Sequence, residues 1–363
     1  MGRDLVVASL SLGLLGFGAG FGICRKFFNE ASGGDESGAW EHRKKYLIGI
    51  DIGGTAVKLG IITCAGDIVV NHQEYIQDAS FDGVVKLIEK LVQKCLEESG
   101  LCLERDVVGA GVGIPGFIDS EHGEVTFAAN FPTWPRDAPL AQRLQHVLDV
   151  RPRIENDANT ALLAEVWIGA ASRSNDVVML TLGTGVGSAM VCDGKLLRGS
   201  CGKAGEVGHM IIQVDGRPSP NTGVNGIVEE YVSARSVGVI AQERAASSKS
   251  NSKLKQLESV TCKDVFDLAK QGDPLSVEIV EETFDLLGVI CINMVRVFDT
   301  STIIIGGGMI AAGQFLLDGI KKRFRHHHWT LNTPTCDVRL AQLGTTSGMI
   351  GAAYLAHPLK RIQ

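Results

Sequence analysis

Ile48–Lys58 has the sequence IGIDIGGTAVK, and Leu180–Ala189 has the sequence LTLGTGVGSA. In each stretch, β-branched apolar residues lead into small residues and then into a second apolar run. This pattern predicts a strand, a tight turn and a returning strand. Glycines at such a turn let consecutive backbone N–H groups point at an anion. Because each stretch begins its own α/β segment, the two predict two lobes that grip one polyphosphate.

The composition favours a protein with two domains that does not bind nucleic acid. The chain has 363 residues, enough for two separate cores, and its net charge of −6 provides no basic surface. Its nine cysteines include no CxxC pair. This unpatterned set predicts free thiols in a reducing compartment.

The amino terminus contains an apolar segment. Leu5–Cys24 holds twenty residues without a charge, enough for a helix of about 30 Å, and Arg25 and Lys26 follow it directly. We therefore predict a single apolar membrane anchor helix over residues 1–28. The basic residues after it place the folded body in the cytosol, for example at the outer surface of an organelle.

Two further interpretations of this segment remain open. It also fits a targeting sequence that is removed, which would leave a soluble protein. Gly16, Gly18, Gly20 and Gly22 give GxxxG spacings, a pattern that packs two membrane helices together, so a homodimer is a further option.

A polar, glycine- and serine-rich stretch predicts a flexible tether over residues 29–44. Beyond it, strands and helices alternate twice, strand first, which predicts two α/β domains with a cleft between them. We place a small domain at 45–155, joined by a carboxyl-terminal helix at 348–363, and a large domain at 156–347. Within them we predict continuous helices at Ala158–Ala170 and Val228–Arg244, a solvated loop at Ala246–Gln256, a capping box at Thr261 and Asp264, and a helix from Met309.

Several motifs together resemble the ROK family of sugar kinases, within the hexokinase/actin ATPase superfamily. The resemblance runs from Lys45 to the end of the chain. It implies a two-lobed actin-like ATPase fold (ribonuclease H-like) with a nucleotide and sugar cleft between the domains. The matching segments are Asp51-x-Gly53-Gly54-Thr55 with Lys58, Leu182-Gly183-Thr184-Gly185-x-Gly187, Ile305-Gly306-Gly307-Gly308, Glu155-Asn156-Asp157-Ala158-Asn159, Gly199–Met210 and Glu229-x-x-x-Ser233.

The resemblance implies which residues bind the sugar. Asp157 would be the general base that takes the proton of the 6-hydroxyl, and Asn156 would hydrogen-bond the sugar beside it. Taken alone, Asp157 also fits a helix N-cap, and the other polar residues fit an ordinary surface. The remaining sugar-side residues implied by the family are Glu206, His209, Glu229, Asn130 and Gly116.

The same resemblance implies an ATP site. Asp51 would orient Mg²⁺ through water, since this ion tends to keep its waters, although Asp51 alone also fits a turn residue. Lys58 would add charge or simply be solvated. The residues implied to hold phosphates are Gly53, Gly54, Thr55, Thr184, Gly185 and Gly187, and Gly306, Gly307 and Gly308 would admit the adenosine.

The chain departs from the family at one point. Many ROK proteins carry a CxCGxxGC zinc site, but Pro220, Thr222 and Ile227 occupy cysteine positions here and supply no thiolate. We therefore predict no structural zinc.

The resemblance implies an ATP-dependent kinase that phosphorylates the 6-hydroxyl of a hexose, with glucose as the first candidate. N-acetylmannosamine and fructose are alternative substrates. A membrane-tethered sugar sensor without catalysis would need the same pocket. A ROK-type repressor is disfavoured, because a membrane-type segment stands where a helix-turn-helix would be.

Overall fold

The computed structural model describes residues 45–172, 174–327, 335–360 and 362. The predicted anchor helix and tether lie outside these residues. Within the described part of the chain, no helix is both long and apolar enough to cross a membrane.

The described chain forms twelve strands. In order they are β1 (Tyr46–Ile52), β2 (Ala56–Thr63), β3 (Ile68–Tyr75), β4 (Val107–Ile114), β5 (Phe117–Asp119), β6 (Glu124–Phe127), β7 (Arg153–Asn156), β8 (Val177–Leu182), β9 (Val186–Cys192), β10 (Lys195–Leu196), β11 (Thr302–Gly306) and β12 (Asp337–Leu340).

Ten α-helices accompany them in the same residues. They are α1 (Phe81–Ser99), α2 (Leu103–Asp106), α3 (Leu140–Leu148), α4 (Asp157–Trp167), α5 (Glu229–Val232), α6 (Ala234–Ser247), α7 (Cys262–Lys270), α8 (Pro274–Phe298), α9 (Gln314–His327) and α10 (Ser347–Leu355). Short 3₁₀ segments lie at Val207–His209, Lys253–Gln256, Gly308–Ala312 and Gly344–Thr346.

The strands form two five-stranded sheets with the same topology. The first has the order β3-β2-β1-β4-β7 and the second the order β10-β9-β8-β11-β12, while β5 and β6 pair separately. In each large sheet three strands run antiparallel and the next two join in parallel. The predicted glycine-rich turns connect β1 to β2 and β8 to β9, so they occupy equivalent positions in the two sheets.

Helix α10 packs against the first sheet and α4 by close backbone contact. A Cβ atom added at Gly49 of β1 would clash with the carbonyl of Met349, and one at Gly351 would clash with the carbonyl of Thr160. The helix ends at Leu355, earlier than the predicted 348–363, shortly before Pro358, which disfavours helix at the residue before it. The proposed domain boundaries themselves stay a prediction.

Several predicted elements differ from the structure. Val228–Arg244 is two helices, because the backbone is extended at Ser233. Ala246–Gln256 is not all solvated: Leu254 is fully buried in a 3₁₀ turn. The segment from Met309 begins as 3₁₀ turn, and α9 starts only at Gln314. The capping box at Thr261 and Asp264 is confirmed.

The eight cysteines within the described residues are all free thiols, as predicted from their spacing. Burial raises the pKa of Cys262 to about 12, so this thiol stays protonated at neutral pH.

Candidate active site

The first glycine-rich turn is flanked by an ion pair. Asp51 lies in β1 directly opposite Lys58 of β2, and their charged atoms Oδ2 and Nζ are 3.6 Å apart. Lys58 Nζ also donates to the carbonyl of Thr345 at 2.9 Å. Asp51 is therefore a strand residue rather than a turn residue, and the interpretation of Lys58 as simply solvated is wrong.

Burial of Asp51 raises the pKa of its carboxyl group, and the charge and hydrogen bond of Lys58 oppose that shift. The side chain lies close to the backbone of α10, where a Cβ atom at Gly348 would meet the carboxyl carbon at 2.7 Å. Asp51 is thus a fixed carboxyl group beside the glycine turn.

The turn itself is tight and accessible. Gly53 N donates to the carbonyl of Ala56 at 2.9 Å, while Gly54 and Thr55 are exposed. The amide nitrogen of Asn130 lies where a Cβ of Gly54 would be. The structure therefore brings Asn130, predicted to lie on the sugar side, against the phosphate-side turn.

The second glycine-rich turn is hydrogen-bonded to the first residue of α6. Gly183 N donates to the carbonyl of Gly185 at 3.0 Å, and the carbonyl of Gly183 accepts from Ala234 N at 2.8 Å. Because the N–H of Ala234 donates to Gly183, it does not donate within a continuous helix. The backbone is therefore extended at Ser233, and α6 begins at Ala234. Thr184 at the tip of the turn is exposed.

Glu229 lies beside the same turn. Its carboxylate would clash with a Cβ at Gly185, and its Oε2 accepts from Val186 N at 2.9 Å. At Gly187, a Cβ would be 3.7 Å from Cβ of Ala158, which places the second turn near the start of α4.

At the junction of β7 and α4, Asn156 is the N-cap, whereas Asp157 is the first helical residue. The Asn156 side-chain oxygen accepts from Ala158 N at 2.9 Å and from Asn159 N at 3.3 Å. Its amide nitrogen donates to the carbonyl of Gly116 at 3.1 Å. The interpretation of Asp157 as the N-cap is therefore wrong.

Asp157 is half-buried and has other carboxylates nearby. Burial raises the pKa of its carboxyl group, and the neighbouring carboxylates of Asp51 and Glu206 raise it further. A hydrogen bond from Ala158 N to Asp157 Oδ1, at 2.9 Å, acts in the opposite direction. The carboxylates of Asp51, beside the first glycine turn, and of Glu206, in the predicted sugar loop, thus both act on Asp157.

The predicted sugar loop carries a half-exposed pair. His209 Nδ1 and Glu206 Oε2 are 3.0 Å apart. The loop is anchored by Ser188 of β9, whose hydroxyl donates to the carbonyl of Gly205 and accepts from Val207 N at 3.1 Å. The sequence analysis missed Ser188, although a hydroxyl within an otherwise apolar strand was a usable signal.

The third glycine motif lies next to the second turn. Gly307 has φ +81°, and a Cβ there would be 2.5 Å from backbone atoms of Leu182. Gly306 is buried as the last residue of β11, whereas Gly308 is exposed. Gly308 borders a cavity of about 710 Å³, which is also lined by Arg235, Gly238, Gln242, Lys263, Phe266 and Ala312.

The described residues contain no group of three or more His, Cys, Asp or Glu placed to hold a metal ion. The segment with the missing cysteines is held by protein contacts instead. Arg217 makes a two-point ion pair with Glu243, at 2.8 and 3.0 Å, and its backbone N donates to the Tyr231 hydroxyl at 2.7 Å.

Comparisons with known proteins identify the family of the chain. The model of the ROK family matches residues 47–358. A glucokinase of Halalkalibacterium halodurans is 33% identical over 317 residues, which cover 86% of this chain and 94% of that protein. A beta-glucoside kinase of Klebsiella pneumoniae is 30% identical over 320 residues, covering 87% and 97%.

The fold agrees as well. The crystal structure of a ROK family glucokinase from Streptomyces griseus, in complex with glucose and AMPPNP, superposes with a TM-score of 0.69. It is 31% identical, and the match covers 85% of this chain and 98% of that one. The two equivalent sheets are thus those of an actin-like ATPase fold, and the chain belongs to the ROK family.

Proposed function

We propose that this chain is an ATP-dependent sugar kinase that transfers a phosphoryl group to the 6-hydroxyl of a hexose, with glucose as the first candidate. The position of Asp157 carries the proposal. It is a half-buried carboxyl group at the start of α4, and the carboxylates of Asp51 and Glu206 are near enough for both to raise its pKa. A base near both a phosphate turn and a sugar loop is suited to deprotonating a hydroxyl that attacks phosphorus.

In the proposed reaction, Asp157 accepts the proton of the 6-hydroxyl as the hydroxyl oxygen attacks the γ-phosphorus of ATP. The bond from the γ-phosphorus to the oxygen that bridges it to the β-phosphate breaks, and ADP leaves. The raised pKa makes Asp157 a stronger base than an exposed aspartate, which favours proton transfer near neutral pH. Closure of the site over the sugar would exclude water and limit hydrolysis of ATP.

On the sugar side, we assign Glu206, His209 and Glu229 to the sugar hydroxyls, since together they provide donors and acceptors. Glu229 Oε2 already accepts from Val186 N, so its other oxygen is the one offered to the sugar. The oxygen of Asn156 is used by the cap and one N–H of its amide donates to the carbonyl of Gly116, which leaves the second N–H as the donor for the sugar. Asn130 and Gly116 would line the same wall.

On the nucleotide side, we assign the exposed turns around Gly54 and Thr184 to the phosphates. The cavity of about 710 Å³ beside Gly308 is in the size range of nucleotide and drug-like ligand sites, and we assign it to the adenosine. AMPPNP, the ligand in the Streptomyces griseus complex, supports ATP as the donor.

Asp51 offers one carboxylate beside the phosphate turn. Mg²⁺ in kinases is commonly bound by one or two carboxylates, waters and substrate phosphates, so this residue fits the ion. When bound, Mg²⁺ would neutralise charge on the phosphate oxygens. Lys58 keeps the pKa of Asp51 from rising further and thereby favours the ionised form that the metal needs.

The test is an ADP-release assay with the purified protein over glucose, mannose, fructose, N-acetylmannosamine, N-acetylglucosamine and a β-glucoside. We expect transfer to glucose, and loss of transfer with retained sugar binding in Asp157→Ala. A wild-type protein that binds sugar without transferring phosphate to any of the six would instead be a sensor. Preference for N-acetylmannosamine or fructose would correct the substrate alone.

We also propose that residues 1–28 anchor the enzyme to a membrane, with the folded body in the cytosol. The support is the charge-free stretch Leu5–Cys24 and the two basic residues that follow it.

A further inference from the structure

The buried carboxylate of Glu155 has no part in the proposed reaction, yet it contacts groups on both sides of the site. It lies in β7, two residues before Asp157, and is 2% exposed. A charge in such a place is costly unless it is paired and hydrogen-bonded. Its partners therefore indicate why it is there.

Three of these partners belong to the segment around Asp157 and the neighbouring hairpin. Glu155 Oε1 accepts from Asn156 N at 3.0 Å and from the Asn159 amide at 2.9 Å, and Oε2 accepts from the Ser120 hydroxyl at 3.3 Å. The first two bonds fix residues on either side of Asp157 in the first turn of α4.

The fourth partner comes from the other sheet. Arg198 follows β10, and its Nε donates to Glu155 Oε2 at 2.7 Å. The carbonyl of Arg198 accepts from Ala204 N at 3.1 Å, which folds the chain into the loop that carries Glu206 and His209. Arg198 therefore belongs to the base of the predicted sugar loop.

We propose that Glu155 and Arg198 form a positioning pair that sets Asp157 in register with the sugar loop. The pair joins the turn that holds the base to the loop that holds the substrate. Because the reacting atoms must be aligned closely, loosening this connection would misplace the sugar relative to the base. This inference rests on the proposed kinase function.

The carboxyl-terminal segment reaches the same pair. Burial lowers the pKa of Lys360, as do the cations Arg153 and Arg198, while Glu155 acts in the opposite direction. The Glu155 carboxylate pairs with Arg198 and its charge also acts on Lys360, so its neutralisation is the more informative change.

The experiment compares Glu155→Gln, Arg198→Met and the double variant of the full chain with a matched control. Glu165→Gln is that control, because Glu165 is a fully buried carboxylate in α4, about 12 Å beyond Asp157 along the helix axis. It accepts from the backbone N–H groups of Ala170, Gln342 and Leu343 and does not contact the site residues described above.

For each variant, we would measure kcat, KM for sugar and for ATP, Tm, and the sugar Kd by calorimetry. We expect Glu155→Gln and Arg198→Met to lower kcat/KM for the sugar by roughly 10- to 100-fold with KM for ATP within threefold of wild type. The double variant should lose no more than about threefold beyond the worse single variant, because both changes break one connection. Glu165→Gln should lower Tm while keeping kcat/KM within threefold.

Arg198→Lys keeps the charge and should recover part of the lost kcat/KM for the sugar. It also replaces Arg198→Met in the comparison if that variant fails to fold. Two results would overturn the inference: single variants that match Glu165→Gln in both Tm and kinetics, or losses that multiply in the double variant. If the wild-type protein transfers phosphate to no sugar, the proposed function fails. The sugar Kd then still tests the pair, and an unchanged Kd in Glu155→Gln would reject it.

Discussion

Asp157 occupies a position where burial opposes its charged form. The native chain binds a proton there at pH values where the unfolded chain has already released it, because its folded pKa lies above the ordinary 3.8. The contribution of this group to stability is therefore largest at low pH and falls as the pH rises from 3.8 through the raised pKa. Catalysis needs the opposite state, with the carboxylate free to accept a proton.

Because stability favours the protonated form and the proposed reaction needs the ionised form, Asp157→Asn should change both activity and the pH dependence of stability. Phosphoryl transfer should fall by about 10²- to 10⁴-fold, the usual contribution of a general base. The stability of the variant relative to wild type should increase as the pH rises through the same window and level off above it. Urea unfolding at a series of pH values measures the second effect.

The acid limb of kcat in the wild-type protein should have its midpoint above 3.8, for the same reason. Asp318→Asn, a change at an exposed position of α9, is the control and should leave both profiles unchanged. A stability difference between Asp157→Asn and wild type that does not vary with pH would contradict the assigned protonation behaviour.

At the scale of elements, a glycine follows the corresponding strand in each of the two sheets. β4 leads to Gly116 and β11 leads to Gly307, both with positive φ and both in close contact with backbone. Gly116 accepts from the cap residue Asn156, and Gly307 packs against Leu182. A glycine that follows the corresponding strand thus lies on the predicted sugar side in one sheet and on the predicted nucleotide side in the other.

Helix α10 joins the first sheet to α4 through glycines, which makes Gly351 a sensitive position. Alanine there is favoured by helix propensity by about 1 kcal/mol, but its Cβ would clash with the carbonyl of Thr160 in α4. Overpacking costs about 1–3 kcal/mol, and a clash with backbone atoms puts this site at the upper end of that range. After the gain in helix propensity, we expect Gly351→Ala to lower the free energy of unfolding by about 2 kcal/mol.

Chemical denaturation measures that change. Gly308→Ala is the control, since no atom lies within 4 Å of a Cβ placed there and its φ needs no glycine. A Gly351→Ala variant as stable as Gly308→Ala would show that α10 and α4 can separate without cost.

The elements that the sequence predicted well are those set by local patterns. Apolar runs predicted the strands, and the capping box at Thr261 predicted the start of α7. The break at Ser233 was missed because it depends on a distant partner, the carbonyl of Gly183. The ion pairs of Lys58 and Glu155 likewise depend on contacts between segments, which periodicity does not encode. The cap at Asn156 is local, and there the prediction differed from the structure by one residue.

At the scale of the whole molecule, the loop that follows the GEVGH segment lacks the cysteines of the family zinc site. The contacts of Arg217 with Glu243 and Tyr231 hold this loop in the structure. We therefore expect elemental analysis to find well under one zinc per chain. Chelator treatment followed by return of Mg²⁺ should leave Tm and activity unchanged.

Arg217→Met should instead lower Tm, since it removes a two-point ion pair. The matched control is Arg143→Met, which removes a single-point surface pair with Asp82 and should have little effect. One equivalent of zinc that survives purification, together with a Tm that falls on chelation, would contradict this explanation of the loop.

The amino-terminal segment determines where we expect the protein to lie in the cell. Twenty charge-free residues followed by Arg25 and Lys26 predict a spanning helix, and an arginine near the centre of such a helix opposes insertion by about 2.5–3.5 kcal/mol. We expect the full chain to stay with membranes after alkaline carbonate extraction. The double substitution Leu14→Arg and Leu15→Arg should release it while kcat stays within twofold, because the residues of the proposed site all lie much later in the sequence, from Asp51 to Gly308. Protease added to intact organelles should degrade the body of the wild-type protein, since the positive residues retain it on the cytosolic side.

Leu14→Ile with Leu15→Ile is the matched control and should remain anchored. Carbonate-soluble wild-type protein that has lost its first residues would favour a removed targeting segment instead, and a body protected from protease would reverse the predicted orientation.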